Sequence, residues 1–91
     1  MQREDPRQVL RDIGRRVAEV RVARGMTQEQ FAEKVLRVSL KYTQAVEAGR
    51  ENLTVESLVK MANKLRLPVA RLFETPATRQ VPRGRPRVRA S

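Results

Sequence analysis

The chain alternates apolar and polar positions with helical periodicity over most of its length. After Asp5 and Pro6, the apolar residues Val9, Leu10, Ile13, Val17 and Val20 recur at three- and four-residue spacing, which predicts a long first helix with Asp5 as its cap and Pro6 at its first position. Gly25 is suited to end it. Thr27 caps a second helix, with Glu29 and Gln30 in its first turn and Phe31, Ala32 and Val35 on its buried face. Ser39 opens a third helix, LKYTQAVEA, with Thr43 and Val46 inward and Gly49 at its end. The polar loop GRENLT leads to Thr54, the cap of a fourth helix with Val55, Leu58, Ala62 and Leu65 on one stripe. LPVARLF adds a short fifth. No stretch alternates with period two, so the fold class is all-α: five helices, followed by a basic tail expected to be disordered.

Length and composition narrow the picture. Ninety-one residues suffice for one small domain, with residues 1–12 as an N-terminal extension of the first helix, 13–74 as the domain and 75–91 as the tail. Cysteine and histidine are both absent, which removes disulfides, thiolate metal sites, the commonest general base and the commonest metal ligand. No serine sits in a nucleophile-elbow setting. The reading is therefore a non-enzyme with no cofactor and no metal.

The net charge of +10 points to a polyanionic partner. No apolar run reaches the length of a membrane span and the N-terminus lacks a signal-peptide core, so a cytoplasmic, nucleoid-associated protein is expected, with no membrane partner. The charge is densest after Thr75, where every charged residue is an arginine.

The segments RGMTQEQFAEKV and VSLKYTQAVEAGRENLTVESLVKMANKLRLPVARLF resemble the helix-turn-helix domains of phage repressors, the Cro/cI or XRE-like family, over roughly residues 13–73. GMTQEQFA, EAGREN and LPVARLF carry most of the specificity. This resemblance implies a sequence-specific DNA-binding transcription regulator, whose partner is double-stranded DNA and whose third helix, about residues 39–48, reads the major groove. Leu40, Lys41, Tyr42, Gln44 and Ala45 are then the base-contact candidates. Lysine can donate to guanine, glutamine can pair with adenine, and apolar side chains can touch a thymine methyl. Gln28 at the start of helix 2 and the loop residues Arg50 and Asn52 match positions that hold phosphates, Arg37 in the altered turn is a further phosphate candidate, and Arg21 and Glu47 match a salt bridge joining the recognition helix to the scaffold. Small Ala32 allows the second and third helices to cross closely, with Val35 and Val46 beneath.

Plainer readings stand beside these. Lys41 and Gln44 could be solvated helix residues and Leu40 could be core; Arg15, Arg16 and Arg24 read as a solvated face. Val69, Leu72 and Phe73 are homodimer candidates or, equally, residues that close the core. One departure from the family pattern is visible: where the turn after helix 2 usually carries glycine, this chain has Leu36, Arg37 and Val38 and is one residue longer. Helix 2 is expected to run on, or the turn to be reshaped, with consequences for the register of helix 3.

The tail contains PRGRPR, in which Arg83, Gly84, Arg85, Pro86 and Arg87 resemble the AT-hook of high-mobility-group A proteins. Extended arginines suit a narrow A·T-rich minor groove, with glycine keeping the backbone thin and proline holding it extended. The alternative is a nonspecific polycation that adds only phosphate contacts. Within the DNA-binding class the short chain resembles restriction-modification controllers and antitoxins, ENLTVESL leaning toward the former. A different class remains open: a helix-turn-helix module that docks another regulatory protein or a polymerase.

Overall fold

A computed structural model of the chain describes residues 3–78. Helix α1 spans Pro6–Ala23. The Asp5 carboxylate accepts from the Arg7 amide at 3.0 Å, and Pro6 occupies the first turn, where its missing N–H costs nothing. Ile13, Val17 and Ala18 face inward.

Helix α2 begins at Gln28–Phe31 with a reciprocal cap: the Gln30 amide donates to Thr27 Oγ1 at 3.1 Å while the Thr27 amide donates to Gln30 Oε1 at 3.0 Å. It runs on as a π turn, Ala32–Leu36, and ends at Arg37 in the left-handed conformation, φ 59° and ψ 47°. The Val38 amide closes the turn on the Ala32 carbonyl at 3.1 Å. The extra residue is therefore absorbed inside the helix, in the wider π turn, and at a left-handed arginine where glycine would be unstrained. The wider turn also alters the buried face: Leu36 enters the core at 2 % exposure, while Val35, expected there, is only partly buried at its edge.

An L-residue in the left-handed region costs about 1 kcal/mol, partly offset in Gly by its greater loss of chain entropy. Arg37→Gly should thus stabilise the domain by up to about 1 kcal/mol, seen as a thermal midpoint higher by a few degrees. A lower midpoint would mean that the arginine side chain contributes more than its backbone costs.

Helix α3, Leu40–Glu47, starts at Ser39, whose Oγ accepts from the Tyr42 amide at 3.0 Å. Thr43, Val46 and Glu47 are buried. Gly49 follows with φ +77° against α1, so close that a Cβ would lie 2.7 Å from Arg11 Cγ. Only glycine fits there.

Helix α4, Val55–Leu65, opens with a Thr54–Ser57 capping box and buries Leu58, Met61, Ala62 and Leu65. Val55, expected on this stripe, is 76 % exposed, because the first residue of the helix lies beyond the edge of the core; Met61 takes its place. The expected fifth helix is a 3-10 turn, Val69–Phe73. Its bonds run from the Arg71 amide to the Pro68 carbonyl (2.9 Å) and from the Glu74 amide to the Arg71 carbonyl (3.4 Å), the tighter spacing that five residues can close. The described residues thus form four α-helices and this turn, with no strand.

Ile13, Val17, Phe31, Leu36, Val46, Leu58, Met61, Leu65 and Leu72 build one core. Leu72 is fully buried, which removes it from the dimer candidates: of its two expected roles it takes the one that closes the core. Past the expected domain boundary the chain stays attached to α1. Pro76 is buried, and the Ala77 amide donates to Glu19 Oε2 at 2.6 Å. The Arg83–Arg87 segment lies outside the described residues.

Candidate nucleic-acid interface

Helix α3 is clamped on its inner side and open on its outer side. The clamp centres on Glu47, whose carboxylate accepts from Arg21 Nε at 2.7 Å and from Arg21 Nη2 at 3.1 Å. Both side chains are buried, 8 % and 4 % exposed. Arg21 Nη1 continues to the Met26 carbonyl at 2.8 Å, so one guanidinium ties together α1, the turn before α2 and the end of α3. The fork geometry matches the carboxylate, giving two charge-assisted bonds rather than one.

Two further residues complete the clamp. Gln28 Nε2 donates to Glu47 Oε1 at 3.0 Å. The side chain expected to meet a phosphate is thus engaged with the buried carboxylate, because the first turn of α2 sits above the end of α3. Arg15, expected on a solvated face, is 4 % exposed and donates from Nη1 to the Glu47 carbonyl. Burial pushes its guanidinium below the usual arginine range, opposed by the nearby Glu47 and Asp12 carboxylates. The donated bond also places positive charge at the C-terminal end of α3, where the helix dipole favours it.

The other members of the expected solvated face also make bonds, Arg24 while remaining exposed and Arg16 while partly buried. Arg24 Nη2 satisfies the Leu65 carbonyl at 2.6 Å, at the end of α4. Arg16 bonds the Arg71 carbonyl at 3.1 Å and Glu74 at 3.2 Å. These arginines work as fasteners because the short helices end in carbonyls that need donors.

Gly14 sets how closely α1 approaches α3. A Cβ at this position would come within 2.6 Å of the Glu47 carbonyl oxygen, a backbone atom that cannot step aside. Sequence periodicity had no means of marking Gly14 or Arg15, since both sit in an ordinary run of α1 and acquire their roles only from the crossing with α3.

The outer side of α3 presents Leu40, 38 % exposed, with Lys41 and Gln44 exposed and Ala45 partly so. Leu40 is therefore on the surface rather than in the core. Tyr42 lies at the flank, half-buried and packed against the core's edge. Burial, with a smaller push from Glu51, raises its hydroxyl pKa, so the phenol is a neutral donor. Arg37 stands exposed just before α3, and Arg50 and Asn52 just after it. An outward polar face thus has basic or amide groups near both ends, the arrangement a groove-reading helix needs.

Residues 17–72 match the profile of the Helix-turn-helix family. The chain belongs to that family. Solved structures of similar proteins agree. The restriction-modification controller protein C.AhdI from Aeromonas hydrophila shares 31 % identity at a TM-score of 0.62, over 70 % of this chain and 96 % of that one. The hypothetical transcription factor NHTF from Neisseria shares 28 %, with a TM-score of 0.64 over 84 % and 86 % of the two chains. The clp gene regulator ClgR from C. glutamicum shares 27 %, with a TM-score of 0.61 over 77 % and 86 %. No curated protein matches the chain.

This helix-turn-helix protein is a sequence-specific DNA-binding transcription regulator. Its family and these neighbours are regulatory proteins rather than enzymes. Among the described residues no helix is long and apolar enough to cross a membrane.

Proposed function

We propose that α3 is the recognition helix and that it enters the major groove with Leu40, Lys41, Gln44 and Ala45, while Tyr42 reaches an adjacent base or phosphate. The observation that carries this reading is the division of α3 itself: Thr43, Val46 and Glu47 are locked inward and Leu40, Lys41 and Gln44 are left outward. Arg37, Arg50 and Asn52 hold phosphates on either side. Gln28 acts through Glu47 by holding the helix in place, and its remaining amide proton can still meet a phosphate.

The protein acts as a homodimer on an inverted repeat with half-sites about one helical turn apart. Exposed apolar side chains support the dimer: Phe73, 55 % exposed, beside the partly buried Val69, and the exposed Val55 and Val59 on α4. The chain's likeness to C.AhdI favours a restriction-modification controller over an antitoxin. Beyond the domain, Arg83, Gly84, Arg85, Pro86 and Arg87 add minor-groove contacts in A·T-rich flanks. It works in the cytoplasm, on the nucleoid.

Selection of bound sites from a random DNA pool tests this reading, with the full chain compared to one stopped after Thr78, which keeps the bond from Ala77 to Glu19. Both forms should recover one inverted repeat, and only the full chain should enrich A·T-rich flanks. Recovery of the same flanks by both would remove the tail from minor-groove readout. Absence of any repeat would leave α3 without an operator.

A further inference from the structure

The reshaped turn opens an apolar groove between the end of α2 and α4. Leu36, Val38, Tyr42 and Met61 line it, and Lys60 and Lys64 stand at its rim, around a volume of about 340 Å³. That is the small end of ligand-pocket size, with room for one or two large apolar side chains. The groove depends on the feature that departs from the family pattern, since the π turn places Leu36 inward and left-handed Arg37 lets Val38 follow it.

The charged side chains of its lining are both lysines, with Glu56 beside Lys60 and Glu51 near Tyr42 as the neighbouring acids. None of the lining residues is acidic. Lys60 meets Glu56 only across an exposed contact of 3.2 Å, with side chains 69 % and 77 % exposed, a pair that solvent screens and a competing carboxylate can displace. Lys64 is anchored through Nζ to the Leu36 carbonyl at 2.6 Å, which fixes a positive charge at the groove's edge. The arginine-rich tail of this chain is repelled by such a rim, and the bases and phosphates of DNA gain little from apolar walls.

We propose that this groove docks an acidic amphipathic segment of a partner protein, its large apolar side chains seated on the half-buried Val38 and Tyr42, above the buried Leu36 and Met61, and its carboxylates on Lys60 and Lys64. Leu40, Lys41 and Gln44 stay clear of the groove, so docking and base reading can coexist; Tyr42, in its wall, is the point where one is felt by the other. The docking does not require that α3 be the groove-reading helix.

The test is peptide selection on the immobilised full chain from a random twelve-residue display library, followed by amide chemical-shift mapping with a synthetic copy of the enriched sequence. The expected consensus combines Leu, Ile or Phe with Glu or Asp, and its shifts cluster at residues 36–38, at Tyr42 and at 57–64, leaving Leu40, Lys41 and Gln44 unmoved. Lys60→Glu should weaken that peptide about tenfold, whereas Arg7→Glu, an equal charge change at the exposed start of α1, should leave it unchanged. An equal loss with both variants would reduce the contact to net charge and overturn the proposal. So would enrichment of sequences without acids, shifts on the outer face of α3, or no enrichment. Self-association abolished by Lys60→Glu would assign the groove to a second copy of the chain, and shifts at the same amides with a short oligonucleotide would assign it to nucleic acid.

Discussion

Glu47→Ala is expected to strip the domain of a large part of its stability. The substitution leaves Arg21 buried with no carboxylate, removes the acceptor of Gln28, and takes away one of the two carboxylates that offset the burial of the Arg15 guanidinium. Breaking a buried pair from one side costs about 3–5 kcal/mol. A domain of this size has only about 5–10 kcal/mol in total, so roughly a third or more of its stability goes. Urea unfolding followed by circular dichroism reads the loss directly. The double substitution Arg21→Met with Glu47→Leu should be considerably more stable than Glu47→Ala alone, since replacing both charges by apolar groups removes the unpaired ion and its desolvation cost. If the double variant is no better, the clamp's value lies in its ties to Met26 and Gln28 rather than in the charge pair.

Gln44→Ala should leave the fold intact and weaken binding to the selected operator by about 10- to 100-fold, the loss of one bidentate base contact of about 1–3 kcal/mol. Gln44 is exposed, and none of the inner-side bonds described involves its side chain. Binding to unrelated DNA, which rests on phosphate contacts, should be nearly unchanged, and the slope of affinity against salt should stay the same. Titration of operator and nonspecific duplexes at two salt concentrations separates the outcomes. An equal loss on both duplexes would make Gln44 a phosphate contact; no loss on either would take it out of the interface.

Much of the fold was legible because it rests on local rules. The caps at Asp5, Thr27, Ser39 and Thr54 each announce a helix by placing an oxygen where free amides need one, and all four accept as expected. The Arg21–Glu47 pair and the inward Thr43 and Val46 were also readable, through the family pattern and helical spacing. The turn after α2 was legible as a problem but not as a solution. An extra residue and a missing glycine say that the backbone must yield somewhere, and several local geometries would satisfy that. Packing of Leu36 into the core selects the π turn.

The sequence by itself determined the helical class, the order of elements, the caps and the outward chemistry of α3, because these depend on residues a few positions apart. Tertiary structure alone decided which arginines are solvated and which are fasteners. Arg15 and Arg16 are neighbours in an amphipathic helix, yet one is buried beneath Glu47 and the other holds the chain after the 3-10 turn. It likewise decided that Gln28 faces the carboxylate, that Leu72 closes the core and Phe73 does not, and that Gly14 admits α3. Each of these outcomes depends on where a distant carbonyl, carboxylate or side chain lies when the helices cross, and no spacing along the chain encodes a crossing distance.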